Sequence, residues 1–208
     1  MFKLLFILSF INLNPEKTFT FEGTIQIENI NYYDTIYYIY YIKNENVRIE
    51  KYDKEGEELS VYIANLEKNT VYALNTKKHI YKTINPKPYK TYQDKQYQVI
   101  KSKSFRYING YQCELWRVKN KQSNTEIAYW VAKDNFLFYS RLFGLLQKTD
   151  KIYDFYLHIP DNEGYMPMVI EERDLLRDLK SKIEIIKIDR GKLDDSKFEI
   201  PSNYKLFN

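Results

Sequence analysis

Apolar and polar positions alternate with a period of two along most of this chain. Phe21, Gly23, Ile25 and Ile27 fall on one face, and Glu22, Thr24, Gln26 and Glu28 on the other. That is the pattern of a strand with one covered face. Residues 36–42 (IYYIYYI) and 127–132 (IAYWVA) are apolar on both faces, and such strands have to be covered on both sides. Polar breaks at Asn44-Glu-Asn, at Lys54-Glu-Gly-Glu and over residues 65–69 separate further runs at 47–52, 59–64 and 70–74. Strands at this spacing, joined by short turns, predict an antiparallel meander. Residues 105–118 and 125–132, joined by the polar run KNKQSN, predict a central hairpin in which Cys113 and Leu115 oppose Trp116 and Val118. Two later strands are predicted over 165–172 and 182–189, and Pro167 places the first of them near an edge or at its own start. The tail reads as a turn and an extended segment anchored by Phe198, Ile200 and Tyr204.

One stretch breaks the period. From 136 to 146 only Ser140, Arg141 and Gly144 interrupt an apolar run, and a helix that is apolar nearly all round is buried nearly all round. Asp134 or Asn135 suits its N-cap. Beyond it, continuation toward Leu157 and a break at Thr149-Asp-Lys are both open. This helix is the natural cover for the second face of the sheet. The fold class is therefore mainly β with a helical segment (α+β), built on a curved antiparallel sheet.

Composition adds size and compartment. The chain has 208 residues, 44% of them hydrophobic, enough for one core in a single domain. Its 21 Tyr and 12 Phe favour pleated, half-buried surfaces. Cys113 is the single cysteine, so no intramolecular disulfide forms. Residues 1–11 (MFKLLFILSFI) have the charged start and short apolar core of a secretory signal peptide, are too short to span a bilayer, and lack an Ala-x-Ala-like cleavage site. A buried N-terminal strand is the other reading. The expected division is a signal peptide over residues 1–18 and one domain over 19–208, exported to the periplasm or cell envelope. No cysteine follows the apolar run, so lipid attachment is not expected.

Candidate chemistry is sparse. The formal net charge is +4, which does not by itself call for a polyanion. Residues 77–106, opened by Lys77 and closed by Arg106, hold nine Lys or Arg and one acid, Asp94, with tyrosines between them. Such a stretch can stack on single-stranded nucleic acid or rest against anionic headgroups. The mild overall charge favours a solvated loop between two strands over nucleic acid, and contact with a membrane surface stays open. His79 and His158 have no ligand spacing for a metal, and each reads as a surface or strand residue. Cys113 has no cation beside it in sequence and reads as inert core. The paired acids Glu57-Glu58, Glu171-Glu172 and Asp194-Asp195 form no dyad where strand neighbours point to opposite faces. No phosphate loop, dinucleotide fingerprint or nucleophile elbow is present. Neither catalysis nor a cofactor is expected.

The Phe21-x-Gly-x-Ile start, Tyr41-Ile-Lys-Asn-Glu-Asn-Val-Arg-Ile, Gly110-Tyr-Gln-Cys, Gly164-Tyr-Met-Pro and Phe198-Glu-Ile-Pro-Ser-Asn-Tyr together resemble an uncharacterised exported bacterial family. That family is related in fold to the LolA and LolB lipoprotein carriers. The resemblance implies a half-open β-barrel with the helix packed on its concave side, where the carriers hold acyl chains. Two functions follow as expectations. One is a carrier-like protein for a lipid or acylated ligand, with Trp116, Tyr129, Trp130, Leu142 and Phe143 nearest the cavity. The other is a structural or protein-interaction module of the envelope, meeting an envelope protein, with a filled core and no ligand.

Overall fold

Strand after strand pairs with its chain neighbour, because short polar turns leave each strand no other partner within reach. The computed structural model describes residues 21–86, 97–120, 125–146, 151–174 and 176–207. The expected signal peptide lies outside them, as does the middle of the basic stretch. The first six strands are β1 (Glu22–Asn31), β2 (Thr35–Lys43), β3 (Asn46–Tyr52), β4 (Glu58–Asn65), β5 (Thr70–Asn75) and β6 (Ile80–Ile84). The next three are β7 (Tyr97–Ile108), β8 (Tyr111–Asn120) and β9 (Thr125–Lys133). Helices α1 (Phe138–Leu146) and α2 (Lys151–Leu157) come next, then β10 (Tyr165–Arg173), β11 (Leu179–Arg190) and the short β12 (Lys205–Leu206). All twelve strands form one curved, unclosed sheet in the order β12-β6-β5-β4-β3-β2-β1-β11-β10-β9-β8-β7. Only the β12–β6 pairing is parallel.

Two meanders meet at the β1–β11 seam. Along it Ile25 lies opposite Ile188 and Gly23 opposite Arg190, with a register shift between Gln26 and Ile27. Alternation sets the inner face: Ile25, Tyr40, Ile42, Val47, Ile49, Val71, Val118, Ile127, Tyr129 and Ile170 all belong to one buried cluster with both helices. Arg141 of α1 donates to the carbonyl of Leu66, just past β4, at 3.2 Å. At the other end, Phe155 of α2 packs edge-on against Tyr97 of β7 at 4.9 Å. β4 and β7 are eight places apart in the sheet, about 38 Å if it were flat. Two helices of nine and seven residues reach both only because the sheet curls round them. This is the mainly β architecture with its helical segment on the inside of the curve that the resemblance implies.

Several elements differ from the sequence reading. The helical segment, whose extent beyond residue 146 the sequence left open, comprises α1 and α2. Asp134 spends its carboxylate on the Asn135 N–H at 2.7 Å and on Arg190, well ahead of α1. The ends of the basic stretch are strands β6 and β7. On the outer face, the tail runs across β2–β6: Lys43 donates to the Leu193 carbonyl at 2.8 Å, and Ile200 and Tyr204 pack on Val61, Ile63 and Leu74.

Candidate functional site: the helix-covered inner face

Trp116 and Tyr129 lie directly across the β8–β9 ladder from one another. Leu142 and Phe143 come down on the same buried cluster from α1. These four retain 1%, 0%, 0% and 2% of their surface, so they line no water-sized space. The layer between sheet and helices is mostly rings. Phe143 stacks flat on Tyr153 of α2 at 4.0 Å and meets Tyr139 at 4.7 Å, and Tyr139 meets Tyr156 edge-on at 5.3 Å. Tyr156 in turn packs on Tyr129 at 5.5 Å. The polar tips are used inside: Tyr129 donates to the Ile152 carbonyl at 2.6 Å and Tyr156 to that of Tyr165 at 2.9 Å. Burial holds the Tyr40 and Tyr156 hydroxyls well above the ordinary tyrosine range, so both stay neutral donors.

Trp130, the fifth candidate, packs at the margin of the same cluster as a partly buried ring. As the strand neighbour of Tyr129 it faces the opposite side, across from Leu115 and Val169. It is half-buried beneath the guanidinium of Arg106, 4.2 Å from its ring.

The sequence reading passed over one inner-face charge. Glu172 is 5% exposed, opposite Ile127, and pairs with Lys151 at the start of α2. Its neighbour Glu171 turns outward and pairs with Arg173 at 3.1 Å. A carboxylate this buried needs a cation beside it, and Lys151 also ties α2 to the sheet. His158 is neither a strand nor a surface residue: it follows α2, its ring 4.3 Å from that of Tyr97 and its Nδ1 2.8 Å from the Asp154 carbonyl. His79 lies in an exposed turn. Among the described residues, no three of His, Cys, Asp and Glu converge on a point that would hold a metal ion.

Cys113 is fully buried, its Sγ 3.5 Å from the Tyr111 carbonyl. Burial pushes its thiol up to about 11, against a smaller downward pull from the Ile108 backbone and Arg106. At pH 8 about a thousandth of it is thiolate, and the thiolate is the reactive form. A chromogenic disulfide reagent is therefore expected to leave the native protein unlabelled over minutes and to titrate one thiol per chain in denaturant. Full labelling of the native protein at pH 8 would contradict this burial.

Two open troughs mark the outer face. One, of about 690 Å³, has Ala128 as its floor among Arg117, Lys119, Glu126, Glu171 and Arg173. Its charges largely satisfy one another, Glu126 taking Lys119 at 2.9 Å and Arg117 at 3.5 Å. The other, of about 510 Å³, is lined by Tyr37, Ile39, Tyr52 and Ile186 beside the turn at Gly56. Neither lies between the helices and the sheet.

Residues 21–204 match the sequence profile of one family. The chain belongs to DUF4412, described as a domain of unknown function. No curated protein matches this DUF4412 domain. In structure it is similar to an uncharacterized conserved protein from Thermus thermophilus, with a TM-score of 0.56 and 7% identity over 92% of this chain and 93% of that one. That likeness is one of fold. Looser likenesses are to two further structures. One is the Pseudomonas aeruginosa MucA/MucB complex (TM-score 0.48, 8% identity, 90% of this chain and 58% of that one). The other is a putative outer membrane lipoprotein-sorting protein domain from Vibrio parahaemolyticus (0.31, 7%, 85% and 87%).

Proposed function

We propose that this DUF4412 domain is a non-catalytic binding module of the cell envelope, whose own helices fill the inner face and whose outer surface and free edge meet a protein partner. The observation that carries this reading is the burial of Trp116, Tyr129, Leu142 and Phe143 to 2% exposure or less. A preformed lipid site would leave apolar walls facing open space. The envelope assignment rests on the charged, apolar start of residues 1–11. No helix among the described residues is long and apolar enough to cross a membrane.

A second reading is carriage of a lipid or other amphiphile. It is favoured by the apolar make-up of the layer over α1: acyl chains that displaced the helix would exchange one apolar contact for another. Native mass spectrometry of the protein purified from its own host separates the two. The module predicts the bare chain, or the chain with a stoichiometric polypeptide, and no uptake of a fluorescent fatty acid. One lipid bound per chain would overturn it in favour of the carrier. The same intact mass reports whether residues 1–18 have been removed.

A further inference from the structure

The sheet has two edges, and the chain treats them differently. The β6 edge is covered by the tail, with Lys205 N donating to the His79 carbonyl at 3.0 Å and Phe207 N to that of Tyr81 at 2.8 Å. On β7, no strand pairs with the outer side among the described residues. An open edge presents a row of unpaired N–H and C=O groups, a template for another strand.

β7 is divided by the register shift between Lys101 and Phe105, where Ser102 Oγ receives the Ser104 N–H at 3.1 Å. The stretch before the shift is tied down: Tyr97 packs on Phe155, and Lys101 Nζ donates to the Pro160 carbonyl at 2.7 Å. The stretch after it, residues 105–108, holds to the sheet through Arg106 and Ile108. Phe105 and Tyr107 are 61% and 69% exposed, their rings edge-on to each other at 6.5 Å.

Proteins usually protect such edges with lysines and bulges. Here the bulge is present, but two of the three cations lie over rings of the sheet itself. Lys101 lies over the Trp116 ring at 4.2 Å and Arg106 over Trp130 at 4.2 Å. Only Lys103 is left beside two exposed aromatic rings, which a protected edge would not carry.

We infer that the β7 edge over residues 105–108 takes an extended, acidic segment of a partner protein as an added antiparallel strand. The inference rests on the protein-interaction reading above and gives that reading a surface. Charge selects the occupant. β7 (YQVIKSKSFRYI) carries Lys101, Lys103 and Arg106 and no acid. A second copy of this chain would bring those cations against their own kind, and like charges across a ladder repel. A segment alternating Asp or Glu with apolar residues sets its acids on the face of Arg106 and its apolar side chains against Phe105 and Tyr107. Backbone bonds would supply the affinity and the alternating side chains the specificity. Glu114, opposite Phe105 on β8, lies on the aromatic side, where the added strand presents no acid.

The test uses two acetylated ten-residue peptides, one alternating Val with Glu and one alternating Val with Lys, titrated to millimolar concentration. Amide hydrogen exchange is read residue by residue on the domain. The Glu peptide is expected to slow exchange of alternate amides within 105–108 at least tenfold, and the Lys peptide to bind at least tenfold more weakly. Tyr107→Pro, which removes an edge N–H, is expected to abolish the protection. Phe105→Ser, an exposed change that leaves the backbone intact, should weaken it at least threefold. Exchange in β9 and β10 serves as the check that both variants are folded. No protection by the Glu peptide, equal protection by the Lys peptide, or indifference to both variants overturns the inference. So does concentration-dependent protection without peptide, with a doubled sedimenting mass, which would make the occupant a second copy. If a polypeptide copurifies from the host and leaves residues 105–108 exchanging freely, the edge fails and the interaction reading stands. If a lipid copurifies instead, that reading fails whatever the edge does.

Discussion

Gly23→Ala is expected to destabilise the domain by about 3 kcal/mol or more, read as a lower urea midpoint and a melting temperature down by roughly 10 °C. Gly23 has φ +150°, and a Cβ there would meet the Asp189 carbonyl oxygen well inside van der Waals contact and the Arg190 Cα at 3.0 Å. Both neighbours are backbone, so no side chain can swing aside. The position also matters: Gly23 is on the β1–β11 seam, where the meander of the first six strands joins the rest of the sheet. Separating that seam to make room would disturb Ile25 and Ile27, both in the core. Gly191→Ala is the control, because a Cβ there meets nothing within 4 Å, and its cost should stay within about 0.5 kcal/mol. Equal effects of the two substitutions would mean that the seam is not as close as described.

The strands that bury one face were legible in the sequence. The alternation from Phe21 to Ile27 gives the inner face of β1 directly, because burial on one side leaves a period of two. The two-sided run at 36–42 was legible as covered on both faces, but not what covers each. Tyr38 and Tyr40 turn to the helices' side, while Tyr41 lies outside under the Lys197 ammonium of the tail, 4.7 Å from its ring. β6 and β7 were harder to see, since an edge strand buries little and its composition records little. KHIYKTI and YQVIKSKS read as basic loop ends, and only pairing with β5 and β8 makes them strands; residues 105–108 read as the start of a strand over 105–118, which the structure divides between β7 and β8. The helical segment was legible by composition alone, being apolar nearly all round. Glu172 was not, because an acid on a strand reads as outward-facing unless its cation is known, and Lys151 is distant in sequence. Among the candidate site residues, periodicity already put Tyr129 and Trp130 on opposite faces. Which face the helices would take is decided by long-range packing on α1 and α2, which no local pattern encodes.

Phe143→Ala is expected to cost about 3–5 kcal/mol, the usual range for emptying a buried phenylalanine site, and its second readout bears on function. Phe143 is 2% exposed and stacked at 4.0 Å on Tyr153, so truncation removes both a core contact and much of what holds α1 to α2. If the helices are permanent core, affinity for a fluorescent fatty acid should stay low and move less than about threefold, since the vacated space is too small for an acyl chain. If a lipid enters by displacing the helices, the energy of displacement is part of its binding free energy. Weakening the closed layer by 3 kcal/mol or more would then raise acyl affinity by about a hundredfold or more, at 1.4 kcal/mol per factor of ten. Trp130→Ala serves as the companion variant: it removes an aromatic ring from the outer face and leaves the helix layer untouched, so neither reading gives it a gain in uptake. A large gain in uptake for Phe143→Ala alone, with amide exchange in β9 and β10 still slow, would therefore support displacement, because that check separates it from a loosened core whose exposed apolar surface takes up an amphiphile.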